Sequence, residues 1–306
     1  MTEAPFVPIE RTSFDAEISR NKLKSYVLGA IVFGIIVALV YVFAEVYTGA
    51  GSAVFLLIGL LFSGIYVLGS YYYGDKIVLS TTGAKPLDLR NPRHVFLKNT
   101  VENLAFAARL PKAPDVYIIQ SPELNAFATG RDPEHASVAV TSALLEKLDR
   151  SEIEGVIAHE ISHVSNYDIR FSLIVAVMVG LIAILSHMFL RSLFFSGGSD
   201  RKGGAGIFII VGILLAIFAP IIVRMVQASV SRKRELLADA SGARITRNPE
   251  ALASALEKLK NTNKGDMKVS EAESHLFFAD PVKSHLDGLF ATHPPIDERI
   301  KILRGM

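Results

Sequence analysis

The sequence contains no cysteine. That excludes disulfides and thiolate ligands, so a metal site in this chain must be built from His, Asp and Glu. Histidine itself is scarce, with 8 among 306 residues. Charge of one sign is lacking too. The 32 Lys and Arg nearly balance the 30 Asp and Glu, leaving a net +2, so no global field points to nucleic acid as a partner. The chain is instead rich in apolar residues. They make up 50% of it, and mean hydropathy is +0.37. An ordinary soluble enzyme is less apolar, and here the apolar residues are bunched rather than spread.

Four stretches hold most of them: Tyr26 to Val46, Ser52 to Tyr73, Phe171 to Phe195 and Gly206 to Val223. Each is near the roughly 20 residues that cross a bilayer as a helix. They pair into two hairpins. Arg20, Lys22 and Lys24 precede the first hairpin, and Lys76, Lys85, Arg90 and Arg93 follow it. The positive-inside rule therefore puts both of its ends in the cytoplasm. The loop of the second hairpin carries Arg191, Arg201 and Lys202. Either the rule is overridden there or that hairpin enters the bilayer incompletely. Residues 1–25 are polar and hold Glu3, Glu10, Asp15 and Glu17. They lack the basic start and apolar core of a secretory signal, and read as a cytoplasmic leader to an uncleaved span.

The remaining sequence divides around the hairpins. Residues 26–73 form the first hairpin and 74–170 the first part of a soluble domain. Residues 171–229 form the second hairpin and 230–306 the second part of that domain. In the first part, Asp115–Gln120, Asn125–Thr129 and Ala136–Thr141 read as strands separated by turn residues. Ser151 and Glu154 spell a capping box and predict a helix start. On that helix His159, Glu160 and His163 spell H-E-x-x-H, with Asp168 further on at the edge of the third apolar stretch. Residues four apart share a helix face, so both imidazoles can reach one metal ion. Glu160 lies between them, placed to take a proton from a metal-bound water.

A catalytic zinc site usually takes a third protein ligand. Glu235 and Asp239 lie one helical turn apart after the fourth stretch. Such a pair suits one carboxylate ligand and a second carboxylate that orients a ligand imidazole. The alternative for Glu235 is a solvated charge in a basic cluster. Topology favours the ligand: seven residues separate His163 from the third stretch, and about a dozen separate Glu235 from the fourth, similar lengths of helix. A hairpin brings both back to one face of the membrane at comparable heights.

These segments resemble the HtpX family of membrane-embedded zinc metalloproteases, relatives of the CAAX prenyl endopeptidases. The resemblance runs through Gly83-Ala84-Lys85-Pro86-Leu87, Asn125-Ala126-Phe127-Ala128-Thr129-Gly130 and His159-Glu160-Ile161-Ser162-His163. It continues through Ser231-Arg232-Lys233-Arg234-Glu235 with Ala238-Asp239, and Thr292-His293-Pro294-Pro295 followed by Glu298-Arg299-Ile300. It implies a zincin-type domain, peptide-bond hydrolysis facing the cytoplasm, and turnover of membrane proteins in a cell membrane. It implies one zinc ion held by His159, His163 and Glu235, with Glu160 as base and Asp239 orienting a ligand.

The expected architecture is thus mainly α with a small β-sheet, a metalloprotease domain joined to about four membrane helices. The expected partners are the lipid bilayer and unfolded or membrane-protein substrates, with no nucleic acid. Three further residues have two readings each. Asn125 either opens the sheet edge where substrate adds as a strand or sits in a plain structural strand. His293 and Arg299 either bind the oxyanion of the reaction, or serve as a helix-packing residue and a salt-bridge partner. His94, His135, His275 and His285 lack ligand spacing, and His187 reads as lying at the far interface. Prenyl-peptide cleavage is a rival activity, and a non-catalytic transporter or scaffold is a rival class.

Overall fold

The computed structural model describes residues 53–195, 205–263, 276–278 and 293–306, together with helical positions between residues 23 and 45. The chain is mostly helical with one small sheet. Helix α1 is the apolar segment Phe33–Val42. It is followed by α2 (Ala53–Thr81), strand β1 (Lys85–Pro86), α3 (Pro92–Ala107), β2 (Asp115–Ile119), β3 (Ala126–Gly130) and β4 (Ala136–Thr141). Then come α4 (Ser142–Lys147), α5 (Arg150–Ser165), α6 (Asp168–Phe195), α7 (Ala205–Thr246), α8 (Pro249–Thr262) and α9 (Ile296–Arg304).

Two of the four apolar stretches are long enough, as helices, to cross a membrane: Leu56–Thr81 and Asp168–Arg191. Among the described residues the other two give shorter apolar helices, Phe33–Val42 and Ile209–Phe218. Helix α2 continues past Tyr73, where the sequence reading ended the hairpin, because its stop signal comes later. Gly83 takes φ +69°, its N–H bonds to the Ser80 carbonyl, and the Ala84 N–H bonds to the Leu79 carbonyl. This paired C-terminal closure needs a left-handed residue, which glycine supplies without a Cβ penalty. The apolar window of α2 is only 11% buried, against 47% for α6. Leu57, Ile58, Leu61 and Ile65 of α2 face outward, as they would toward lipid.

The sheet order is β1-β2-β4-β3. Strands β2 and β4 run parallel, from Asp115 opposite Ser137 to Ile119 opposite Thr141. Strand β3 is antiparallel to β4 and forms the edge. All three strands fall within a residue of their sequence-derived limits. The two-residue β1 was not foreseen, because Lys85-Pro86 has no alternation to read. Val138 and Val140 pack with Leu97, Ile157, Ile161, Leu252 and Leu256 into the main core.

Helix α5 starts at a different cap from the expected one. The box is Asp149 with Glu152: Asp149 Oδ1 accepts from the Glu152 N–H at 2.9 Å, and Glu152 Oε2 accepts from the Asp149 N–H at 2.8 Å. Ser151 instead donates to Asp149 Oδ1. Two overlapping x-x-Glu patterns compete here. The earlier one wins because Leu148 is already extended after α4, making Asp149 the first residue able to cap. Helix α7 lies against α5 at Gly242, where a Cβ would stand 3.0 Å from the His159 backbone N. The missing side chain sets this close approach and brings the helix carrying Glu235 and Asp239 alongside the H-E-x-x-H turn.

Candidate active site

Helix α5 is buried along the face bearing His159 and Glu160, which are 0% and 2% exposed. The i, i+4 spacing sets the His159 and His163 rings nearly perpendicular with centroids 4.6 Å apart, and their Nε2 atoms lie 3.1 Å apart. Glu235 of α7 completes a triangle. Its Oε1 is 3.4 Å from His163 Nε2 and its Oε2 is 3.7 Å from His159 Nε2. In tetrahedral coordination with metal–ligand bonds of about 2.0–2.1 Å, donor atoms stand about 3.4 Å apart. The three donors bracket that separation, and they are a group that could hold one metal ion. The packing of α7 on α5 has therefore brought together residues separated by more than seventy positions in the sequence.

Each imidazole has a carboxylate behind it. Asp239 Oδ1 lies 2.9 Å from His159 Nδ1, and Asp168 Oδ2 lies 3.1 Å from His163 Nδ1. Arg299, 1% exposed, grips Asp239 with two hydrogen bonds. Nε donates to Oδ2 at 2.8 Å and Nη2 to Oδ1 at 2.7 Å. Its Nη1 donates to the Phe278 carbonyl at 3.3 Å and lies 3.4 Å from Glu235 Oε2. Of the two readings of Arg299, the geometry displays the salt bridge. His293 stands beside the triangle, its Nδ1 2.9 Å from Glu235 Oε2. Asn125 is wholly buried. Its backbone N–H bonds to Thr141 Oγ1 and its carbonyl accepts from both Thr141 groups, the N–H and the hydroxyl. It pins the start of β3 to the end of β4.

The sequence reading noticed Asp168 but gave it no role. The available signal was its position five residues after His163, within reach of that ring once the helix turns. Arg234, directly before Glu235, was also missed. His94 accepts from the Asp88 N–H and His135 pairs with Asp132, both away from the site. His187 lies exposed on α6, and His275 and His285 fall outside the described residues.

Electrostatics fit a cation site. Burial drives His159 down to about 4, against the pull of Asp239, so its Nε2 lone pair is free. His163 is also burdened by burial, but Asp168 and Glu235 hold it well above the usual imidazole value. Burial would raise Glu235, yet His293 and His163 keep it well below the usual carboxylate range. Asp168 and Glu235 thus surround His163 with negative charge that holds a proton on its ring, and a metal ion bound there would displace that proton. Glu160 differs. Burial, aided by the charge of Glu235, lifts it to about 7 despite His163 and the Ala128 N–H. A carboxylate so placed can take and return a proton near neutrality. It lines, with Ala128, His163, Phe171, Glu235 and Phe277, a small cleft of about 30 Å³, enough to admit water.

The edge strand β3 runs beside this cleft. The chain's own residues 276–278 touch it, with Phe277 bridged to Phe127 and the Phe278 N–H bonded to the Ala126 carbonyl. The Phe278 ring meets His159 edge-on at 4.8 Å.

Two imidazoles and a carboxylate around one point, with the Glu160 carboxyl beside them, are the groups of a metalloprotease, and the apolar helices α2 and α6 mark it as membrane-associated. Residues 92–306 match the model described as Peptidase family M48, and the chain belongs to that family. It is 41% identical to a "Protease HtpX homolog" of Caldanaerobacter subterraneus subsp. tengcongensis, over 97% of this chain and 99% of that one. It is 45% identical to a "Protease HtpX homolog" of Tropheryma whipplei strain Twist, over 84% and 87%. The crystal structure of S. mikatae Ste24p shares the fold, with a TM-score of 0.52 at 21% identity over 94% of this chain and 66% of that one.

Proposed function

We propose that this protein is a zinc endopeptidase, held in the cell membrane by two helical hairpins, that cleaves unfolded or damaged membrane proteins on the cytoplasmic side. The observation that carries this reading is the convergence of His159 Nε2, His163 Nε2 and a Glu235 oxygen within 4.8 Å of one another. Two imidazoles and one carboxylate form a donor set well suited to zinc. Bound there, zinc would polarise the scissile carbonyl and lower the pKa of its water.

The chain's own residues supply the rest. Glu160 takes a proton from the attacking water and passes it to the leaving amine. Asp239 keeps the His159 ring turned so that Nε2 faces the ion, and Arg299 holds Asp239 ionised. His293, beside Glu235, is placed to donate to the developing oxyanion. The outer edge of β3 is buried and partly paired by the chain's own Phe277 and Phe278, and an extended substrate adding there as a strand would take the place of residues 276–278. Main-chain pairing of that kind tolerates many sequences, as turnover of assorted membrane proteins requires. The cytoplasmic orientation is supported by the basic residues Arg20, Lys22, Lys24, Lys76, Lys85, Arg90 and Arg93 flanking the first hairpin. The bare apolar face of α2 supports contact with the bilayer.

The test is cleavage of casein by the full-length protein purified in detergent. Hydrolysis is expected to stop with 1,10-phenanthroline and to return when zinc is added back. Hydrolysis that continues unchanged in the chelator would remove the zinc mechanism.

A further inference from the structure

We propose that Asp168 and Arg234 act together as a positioning pair for His163. The carboxylate fixes the ring, and the guanidinium fixes the carboxylate. The inference rests on the metal-site reading above and extends it to residues that neither the H-E-x-x-H motif nor the Glu235–Asp239 pair includes.

Three observations support it. The first is a repeated pattern. His159 is backed by Asp239, and Asp239 by Arg299. His163 is backed by Asp168 at 3.1 Å, and Asp168 Oδ1 lies 3.4 Å from Arg234 Nε. Each imidazole thus has its own carboxylate and each carboxylate its own arginine, bidentate at Asp239 and an ion pair without a hydrogen bond at Asp168. The second is burial. Asp168 is 2% and Arg234 5% exposed, and the guanidinium carbon sits 3.6 Å above the Phe171 ring. A buried guanidinium is costly unless paired, and the pairing atom here belongs to the residue that orients His163. The third is backbone geometry. Tyr167 takes φ 61°, a conformation bulky residues rarely adopt. That turn separates α5 from α6 and makes Asp168 the first residue of the new helix. Its side chain can then point back to His163 instead of continuing along α5.

The consequence is a mechanical link. Asp168 opens α6, the outgoing membrane leg, and Arg234 stands on the returning leg α7 next to Glu235. The pair ties the two legs together where they leave the apolar region. How the hairpin packs therefore sets the relative placement of His163 and Glu235.

The test is zinc affinity of the full-length protein in detergent, measured by chelator competition for wild type, Asp168→Ala, Arg234→Gln and the double variant. Asp168→Ala is expected to weaken binding by roughly 10–100-fold, the usual effect of removing a group that orients a metal-bound histidine. Arg234→Gln is expected to weaken it less. The double variant is expected to match Asp168→Ala alone, because Arg234 acts through Asp168, and Arg234→Lys is expected to recover part of the loss. The visible absorption of cobalt-loaded protein is expected to change in Asp168→Ala, reporting altered ligand geometry without any assay of activity. If Asp168→Ala does not fold, Asp168→Asn keeps the volume, removes the charge and is expected to lose affinity in the same direction. Affinity within twofold of wild type in the Asp168 variant, or losses that multiply in the double variant, would overturn the pair. A wild-type protein that binds no zinc would instead overturn the metal-site reading itself.

Discussion

Glu160→Gln is expected to leave zinc content unchanged and to lower casein hydrolysis by on the order of 10²–10⁴-fold, the usual contribution of a positioned general base. The expectation follows from the position of Glu160. It lies on the same turn as the two imidazoles but outside the triangle of donors, so the amide should not disturb the ion. Glutamine keeps the volume and removes only the ability to accept and return a proton. At 2% exposure there is no room for bulk water to replace it. Metal content and initial rates on the same preparation check the prediction. A variant cleaving at near the wild-type rate would show that another group takes the proton.

Arg299→Met is expected to cost about 3–5 kcal/mol of stability in the metal-free protein, as breaking a buried ion pair from one side does. The guanidinium leaves behind Asp239, a carboxylate 1% exposed that keeps only His159 as its described polar partner. The pH dependence has a definite sign. In the wild type, burial pushes Asp239 up, but Arg299 and His159 hold it at about 2, below its ordinary 3.8. That contribution is present above the unfolded value and fades as pH falls toward 2. In the variant the Arg299 charge and its hydrogen bonds are gone, so Asp239 titrates higher and is relieved by protonation. The stability gap between variant and wild type should therefore narrow as pH falls. Chemical unfolding in detergent at several pH values measures it. A gap that stays constant or widens would mean that Asp239 does not carry the effect.

The legible parts of this protein were those written in local periodicity. Strands Asp115–Ile119 and Ala136–Thr141 carried their own turn signals, and the i, i+4 histidines declared their shared face. Glu235 was accessible only through topology, because a carboxylate more than seventy residues away is a neighbour only if a hairpin returns the chain. Asp168 and Arg234 escaped for a related reason. Their pairing depends on the left-handed turn at Tyr167, and nothing in a tyrosine announces positive φ. The start of α5 was displaced because two capping patterns overlap and backbone geometry chooses between them. The apolar stretches were read as two hairpins, the second of them crossing the bilayer either fully or incompletely. Two of them, Leu56–Thr81 and Asp168–Arg191, have the length and composition of a crossing helix. Composition sets where apolar residues cluster, but helix length is set by stop signals such as Gly83.

The most direct test is zinc K-edge X-ray absorption on the full-length protein in detergent, with Glu235→Ala measured alongside. The predicted result is one zinc per chain in a nitrogen and oxygen shell at about 2.0–2.1 Å, with the outer-shell signature of two imidazoles, and a marked loss of zinc in the variant. A shell without that imidazole signature, or a Glu235→Ala variant holding zinc in an unchanged shell, would contradict the joint metal site of α5 and α7.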